Sequence, residues 1–252
     1  MKKIFRTLLA AAVLVGVAAT GASAAELKIS GSSTVGKRII IPNKDAIEKE
    51  TGLTLNMTMN GDGNGLHDLY AGASEVAMTS APMTVTEAAM NKATPGSVSI
   101  AGFQEAKVGA VSIKFIVNPA NPVKALTEAQ LKDIFTGKIT SWKDVGGSDQ
   151  PILVVAEVPG GGTRANVVTI LLGGAEISEK ASLQQALQNV ATVVGQAPNA
   201  IGYSNSAWIT DAVAVIPGYE VKQSLGLTTK GEPNASVKKL IESVAKYGAS
   251  VN

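Results

Sequence analysis

Short apolar or alternating segments are separated along this chain by glycine-rich turns and by stretches that suit helices. Leu53, Leu55, Met57 and Met59 alternate with polar residues, which is the period of a half-buried strand. The predicted strands span residues 27–30, 53–59, 75–78, 98–103, 108–117, 152–156, 201–203 and 213–216. The predicted helices span 43–50, 66–71, 87–93, 128–135, 178–188 and 236–247, and a further one ends near 172. Because strands alternate with helices throughout, the pattern predicts an α/β fold with mostly parallel sheets.

Two of the predicted helices carry signals for where they begin. Thr127 has Gln130 at the third position after it, which is the spacing of a capping box. Thr84 or Thr86 is expected to cap the helix over 87–93. Both helices should therefore have well-defined first turns.

The first 25 residues have the layout of a secretory signal peptide. An apolar run over 8–19 is followed by Ala-Ser-Ala at 22–24, and the basic start consists of Lys2, Lys3 and Arg6. The run is short for a bilayer span, so we expect cleavage near Ala24 or Ala25 and export to the periplasm. An uncleaved membrane anchor is the alternative. No cysteine stands at the cleavage site to accept a lipid.

Composition narrows the function. The whole chain carries 22 basic and 20 acidic residues, and the signal segment holds three of the basic ones, so 19 against 20 remain. That balance gives no basic field for nucleic acid or a membrane surface. Aromatic residues make up only 4% of the chain, which disfavours a sugar-stacking platform. His67 is the only histidine and there is no cysteine, so we expect no metal, no cofactor and no enzyme activity.

Three segments share one design, in which a strand runs into a small-residue loop and then a helix. They read Gly-Ser-Ser-Thr at 31–34, Gly-Asp-Gly-Asn-Gly at 61–65, and Gly-Gly-Gly-Thr at 160–163. Glycines allow close approach of the backbone to a ligand, and helix N-termini add free N–H donors. Such loops bind oxyanions without needing a net positive protein charge, although any one of them can be merely a turn.

Several segments, in order, make the chain resemble the phosphate-binding component of bacterial phosphate ABC transporters. Residues 29–35 resemble the opening strand and ligand loop of that family, and 76–83 resemble its second ligand segment. The most specific match is Asn-Pro at 118–119 followed by 126–127 and 134–145. Residues 200–203 resemble the segment that returns to the first lobe. Within the matched segments, Phe135 and Trp142 are expected to be packing residues.

The resemblance implies a two-lobed, type II-like periplasmic binding protein fold, with a mostly parallel sheet flanked by helices in each lobe. Lobe 1 would comprise 26–105 completed by 200–252, and lobe 2 would comprise 106–199. The ligand would lie in the cleft between the lobes and cause them to close. The candidate ligand-binding residues are Ser32, Ser33, Thr34, Asn64, Thr79, Ser80, Gly161, Gly162, Thr163 and Arg164.

Departures from the family pattern fall on those same loops. Glu157, Pro159 and Gly161 stand where the family places Arg, Asp and Ser, and Ser80 stands where it places an acceptor Asp. An ionised carboxylate only accepts hydrogen bonds, so that Asp favours a ligand that still carries a proton. Its loss predicts weaker and less selective phosphate binding.

Two residues are candidates to compensate for these departures. Arg164 follows the third loop directly and is either a bidentate anion ligand or a solvent-facing arginine. Asp62 lies in the second glycine loop and is either a replacement acceptor or a turn-stabilising residue.

The sequence thus predicts a monomeric solute-binding protein that delivers phosphate or a related oxyanion to an inner-membrane ABC permease. A module of the same fold for an organic acid or a neutral solute, or a sensor without a transport role, is the alternative. A phosphohydrolase is the third hypothesis.

Overall fold

The computed structural model describes residues 25–251, so the predicted signal segment and its cleavage site lie almost wholly outside the described residues. Eight strands are β1 (Ala25–Gly31), β2 (Leu53–Thr58), β3 (Val76–Thr79), β4 (Phe103–Val117), β5 (Leu153–Glu157), β6 (Ser182–Gln184), β7 (Ala200–Asn205) and β8 (Ala214–Lys230). Eight α-helices are α1 (Ser33–Val35), α2 (Lys44–Thr51), α3 (Asp62–Ala71), α4 (Met83–Ala93), α5 (Glu128–Phe135), α6 (Gly162–Asn166), α7 (Leu187–Gln196) and α8 (Ala235–Gly248). No helix among them is long and apolar enough to span a membrane.

The strands are hydrogen-bonded in the order β2-β1-β3-β8-β4-β7-β5-β6. The outer pairings, β1 with β2 and β3, and β5 with β6 and β7, are parallel. The three central pairings, β3–β8, β8–β4 and β4–β7, are antiparallel. The predicted α/β class is confirmed, with a mixed sheet whose parallel strands lie on both sides of a central antiparallel pair.

The two longest strands, β4 and β8, are shared by both halves of the sheet. They pair along nearly their whole length, with register shifts between Lys107 and Gly109 and between Lys114 and Phe115. Gly109 lies at the first shift, where a Cβ would come 3.0 Å from the carbonyl oxygen of Gly248. The two halves therefore belong to one continuous hydrogen-bonded sheet, and the long strands β4 and β8 connect them.

Hydrophobic packing separates the two halves. One cluster buries side chains of β1 to β3 together with Val108, Val111, Leu225 and Leu227. Another buries side chains from Ile113 to Val221, including Phe135 and Trp142, which confirms their packing role. Residues 201–221 thus pack with the second half, not the first. We therefore propose that the chain returns to lobe 1 within β8, after Val221, and not near Ala200.

Several predicted elements need correction. The helix expected over 178–188 is wrong, because Ser182–Gln184 pairs with β5 and the helix is α7. Residues 98–102 are not a strand, and β4 begins only at Phe103. The cap of α4 is Pro82, with no side-chain cap from Thr84 or Thr86. The capping box of Thr127 and Gln130 is confirmed in both of its hydrogen bonds.

Candidate ligand-binding site

The centre of the candidate site is the carboxylate of Asp62, at the first residue of α3. It accepts hydrogen bonds from the backbone N–H of Ser80 and of Ala81, the latter at 3.1 Å, and from the Ser80 hydroxyl at 2.9 Å. Only 2% of Asp62 is exposed. A buried carboxylate therefore lies against the Ser80–Ala81 segment that precedes α4, and the two backbone N–H groups of that segment favour its negative charge.

The first glycine loop joins this cluster through Ser32. Its hydroxyl donates to the Ser80 hydroxyl at 2.9 Å, and its backbone N–H donates to the Met78 carbonyl at 2.8 Å. Gly31 has φ of 123°, and a Cβ there would overlap the same Met78 carbonyl. Only glycine allows β1 to turn this tightly over β3, so the sequence of the loop fixes the position of Ser32.

The third loop closes over the cluster from the other half of the sheet. A Cβ on Gly162 would overlap the Ser80 hydroxyl and the Asp62 carboxylate. Gly63 N–H donates to the Gly160 carbonyl at 3.1 Å. The Asn166 side-chain amide donates to the Ser80 carbonyl at 2.6 Å and to the Gly162 carbonyl at 2.8 Å. The two halves are thus in direct contact around Asp62 and Ser80, which is a closed arrangement.

Glu157, at the end of β5, is a second buried carboxyl beside the cluster. It is 7% exposed and accepts a hydrogen bond from the Arg164 backbone N–H at 3.1 Å. Burial, with a smaller contribution from the nearby Asp62 carboxylate, raises its pKa to about 8, although Arg164 lowers it. A protonated Glu157 can donate as well as accept a hydrogen bond.

Burial also raises the pKa of Asp62, to about 6, although the Ser80, Ala81 and Ser32 hydrogen bonds lower it. Desolvation disfavours the charged form, while donors aimed at the carboxylate favour it. These pKa values favour, at neutral pH, an ionised Asp62 beside a protonated Glu157.

Arg164 does not point into the cluster. Its side chain is 9% exposed, Nη1 donates to the Glu157 carbonyl at 3.0 Å, and Nη2 lies 3.7 Å from an oxygen of Glu176. Within residues 25–251 its guanidinium makes no hydrogen bond or ion pair with Asp62 or Ser80. Of the two alternatives for Arg164, the structure favours neither a solvent-facing residue nor a ligand to this cluster.

The remaining predicted site residues fall into two groups, with Gly161 apart from both. The Thr34 hydroxyl accepts from the Asn205 amide at 2.9 Å, and the Thr163 hydroxyl from the Gln223 amide at 3.4 Å, so both lie at contacts between the halves. The other three residues lie apart from Asp62: Ser33 is half-buried, Thr79 bonds Glu105 at 2.6 Å, and exposed Asn64 bonds the Asn60 carbonyl. Gly161 borders Glu157, whose carboxylate oxygen would lie 2.9 Å from a Cβ at that position.

Three amides were not identified from the sequence, namely those of Asn166, Asn205 and Gln223. Each is at least 95% buried, and each contacts a residue of one of the candidate loops. A signal for Asn166 is its place four residues after Gly162, on the same face of a helix. Among residues 25–251 no cluster of three or more His, Asp or Glu side chains is arranged to hold a metal ion, and His67 is exposed.

Comparison with known proteins places this geometry in context. The family model described as the PBP superfamily domain matches residues 16–248. The phosphate-binding protein PstS of Bacillus subtilis is 31% identical over 185 residues, which are 73% of this chain and 58% of that protein. PstS of Staphylococcus saprophyticus is 30% identical over 52% of this chain and 40% of its own length. The chain thus spans about half the length of these two curated relatives.

Solved structures agree with the fold. A substrate-binding protein from Clostridium perfringens, assigned to a phosphate ABC transporter and solved with bound phosphate, is 28% identical with a TM-score of 0.75. The match covers 87% of this chain and 92% of that one. An ABC-type phosphate transport receptor from Vibrio cholerae matches with a TM-score of 0.65 at 22% identity, over 87% of this chain and 93% of that one. The resemblance and the two-lobed fold predicted from the sequence are confirmed.

Proposed function

Because this chain belongs to the PBP superfamily domain family, we propose that it is an extracytoplasmic solute-binding protein that binds phosphate between its lobes. The proteins it resembles include PstS proteins and a C. perfringens structure with bound phosphate. In this proposal it acts in the periplasm as a monomer and delivers its ligand to an inner-membrane ABC permease. It acts by binding and closure and catalyses no reaction.

The observation that carries the proposal is the set of donors around Asp62. Two backbone N–H groups and the Ser80 hydroxyl, with Ser32 next to it, point at one buried oxygen-rich position between the lobes. Phosphate offers the same kind of acceptor oxygens that the carboxylate now offers. An incoming oxyanion can therefore take over some of these donors as the lobes open and close again.

Asp62 also supplies the acceptor that the second segment lacks. Ser80 occupies the position where the family places an aspartate, yet the Asp62 carboxylate lies 2.9 Å from the Ser80 hydroxyl. In effect the carboxylate comes from the glycine loop and the hydroxyl from the second segment. We propose that Asp62 accepts the proton of hydrogen phosphate, which sulfate cannot offer.

Calorimetry with ligand-free protein tests this function. We expect phosphate to bind more tightly than sulfate, and Asp62→Asn to lose that preference by roughly ten- to a hundredfold, because a hydrogen bond to a charged acceptor is removed. Asp68→Asn is the matched control, since Asp68 lies on the same helix but bonds Asn60. If Asp62→Asn keeps the full preference for phosphate over sulfate, another residue accepts the hydrogen bond from the protonated ligand.

The alternative ligand, an organic acid or a neutral solute, draws support from Glu157. A buried, protonated carboxyl where the family places an arginine supplies no positive charge to balance a dianion, and it tolerates a less charged ligand. If neither phosphate nor sulfate gives binding heat while a less charged solute does, the alternative replaces the proposal.

A further inference from the structure

A groove of about 790 Å³ lies between α4 and the segment that runs from Pro159 through α6 to Glu176. It borders the candidate site at Gly160, and among the predicted site side chains only that of Arg164, which does not point toward Asp62, lines it. Its volume is within the range of cavities that bind small molecules. Because its two walls belong to different halves of the sheet, an occupant would contact both.

The walls of the groove are mainly small and apolar. Ala88, Ala89 and Ala93 line it from α4, and Ala165 and Val168 line it from the other side. Alanines at successive helical turns leave the space between the helices open, since their side chains end at Cβ. A mostly apolar lining with few polar groups is the usual composition of a site for a small organic ligand.

The charges of the groove are concentrated at one end. Its charged lining residues are Lys92, Arg164 and Glu176. Lys92 Nζ lies 3.0 Å from one oxygen of Glu176, and Arg164 Nη2 lies 3.7 Å from the other. Glu176 is 67% exposed at its side chain, whereas Arg164 is 9% exposed. Two cationic side chains thus lie beside one exposed carboxylate, which leaves a net charge of +1 at this end of the groove.

We propose that this groove is a second site, which binds an organic monocarboxylate with a short aliphatic body. The carboxylate pairs with the Arg164 guanidinium, whose planar fork suits that group. The aliphatic body lies on the alanines of α4 and on Val168. The surplus of one positive charge matches a monoanion, and the apolar walls disfavour a bare inorganic ion.

Calorimetry of the purified protein with straight-chain monocarboxylates from acetate to octanoate tests the site. We expect affinity to rise about fourfold for each added methylene until the groove is filled. Glu176→Gln should tighten binding up to about fivefold, because it removes a competing exposed carboxylate. Arg164→Lys should weaken binding about tenfold through loss of the bidentate contact.

A blocking variant keeps the test independent of how Arg164 affects folding. Ala88 is exposed on α4, so Ala88→Trp fills the groove without disturbing the core. It should abolish octanoate binding and leave phosphate binding unchanged, whereas Ala71→Trp, at an exposed position of α3 away from the groove, should change neither. Equal octanoate affinity in the parent and Ala88→Trp, or no dependence on chain length, would overturn the second site. Either result leaves the phosphate site untouched.

Discussion

Glu157 gives the structure a distinct pH dependence. Its side chain is almost fully buried, and its pKa is raised from an ordinary 4.5 to about 8, chiefly by desolvation. The folded protein therefore holds a proton that the unfolded chain releases between these two pH values. Stability is fully present below the unfolded pKa and is lost as the pH rises through the folded one.

The size of the effect follows from the same two values. A change from 4.5 to about 8 corresponds to roughly 5 kcal/mol of folding free energy, because each tenfold change in proton affinity is worth about 1.4 kcal/mol. Asp62, whose pKa is raised from 3.8 to about 6, acts in the same direction at lower pH. The contribution of these two carboxyls to stability should therefore decrease as the pH rises from about 4 to about 8.

Urea unfolding of the parent and of Glu157→Gln across about pH 5 to pH 8 measures this term. Glutamine resembles protonated glutamate in shape, so the variant should match the parent at the acidic end. At the alkaline end it should be more stable by roughly 4 kcal/mol, the part of the loss that falls in this range. Glu179→Gln, at an exposed position, should follow the parent throughout. Parallel curves for the parent and Glu157→Gln would refute the argument.

Two further predictions concern closure and local stability. Gly162→Ala should weaken phosphate binding roughly fivefold to a hundredfold in calorimetry, because its Cβ overlaps Ser80 and Asp62 and prevents the lobes from closing; unchanged affinity would mean that closure does not need this contact. Thr127→Ala should lower the free energy of unfolding by about 1 kcal/mol in urea, because it removes the cap on Gln130 N–H. The affinity for phosphate should be unchanged. A loss of phosphate affinity that accompanies the loss of stability would contradict the separation of this cap from the site.

Elements with strong local signals were predicted well. The alternating strand at 53–58, the capped helix α5 and the C-terminal helix α8 lie within two residues of their expected bounds. The helix expected over 178–188 failed because tertiary pairing with β5 recruits 182–184 as a strand. The buried positions Leu187, Val190, Ala191 and Val194 show the true helical period in the segment that follows.

The site was only partly predictable, for a physical reason. Loops 31–34 and 61–65 meet because they follow the parallel strands β1 and β2, whose carboxyl ends lie at the same edge of a sheet. Loop 160–163 follows β5, which runs in the opposite direction because three antiparallel pairings lie between β3 and β7. It reaches the other two loops from the second half of the sheet, where the Gly63 N–H bonds the Gly160 carbonyl. Which side chains meet within them depends on packing. Arg164 illustrates this, since its guanidinium turns to the Glu157 carbonyl and the groove behind the loop.

Asp62 and Ser80 show why a departure at one position of a family pattern is weak grounds for a lost function. A position-by-position comparison with the family finds Ser80 in place of an aspartate. The hydrogen-bonding requirement of a ligand is spatial, and it is met by any carboxylate that reaches the same point with its donors in place. The 2.9 Å contact between the two side chains puts an acceptor 18 residues away in sequence at that point. The expectation of relaxed selectivity, which followed from Ser80 alone, is therefore replaced by a proposal that selectivity depends on Asp62.

The arginine that the family places at the position of Glu157 has no such replacement, because the Arg164 guanidinium does not reach Asp62 or Ser80. We accordingly expect the chain to keep its preference for a protonated ligand and to bind dianions more weakly than a site with an arginine at that position.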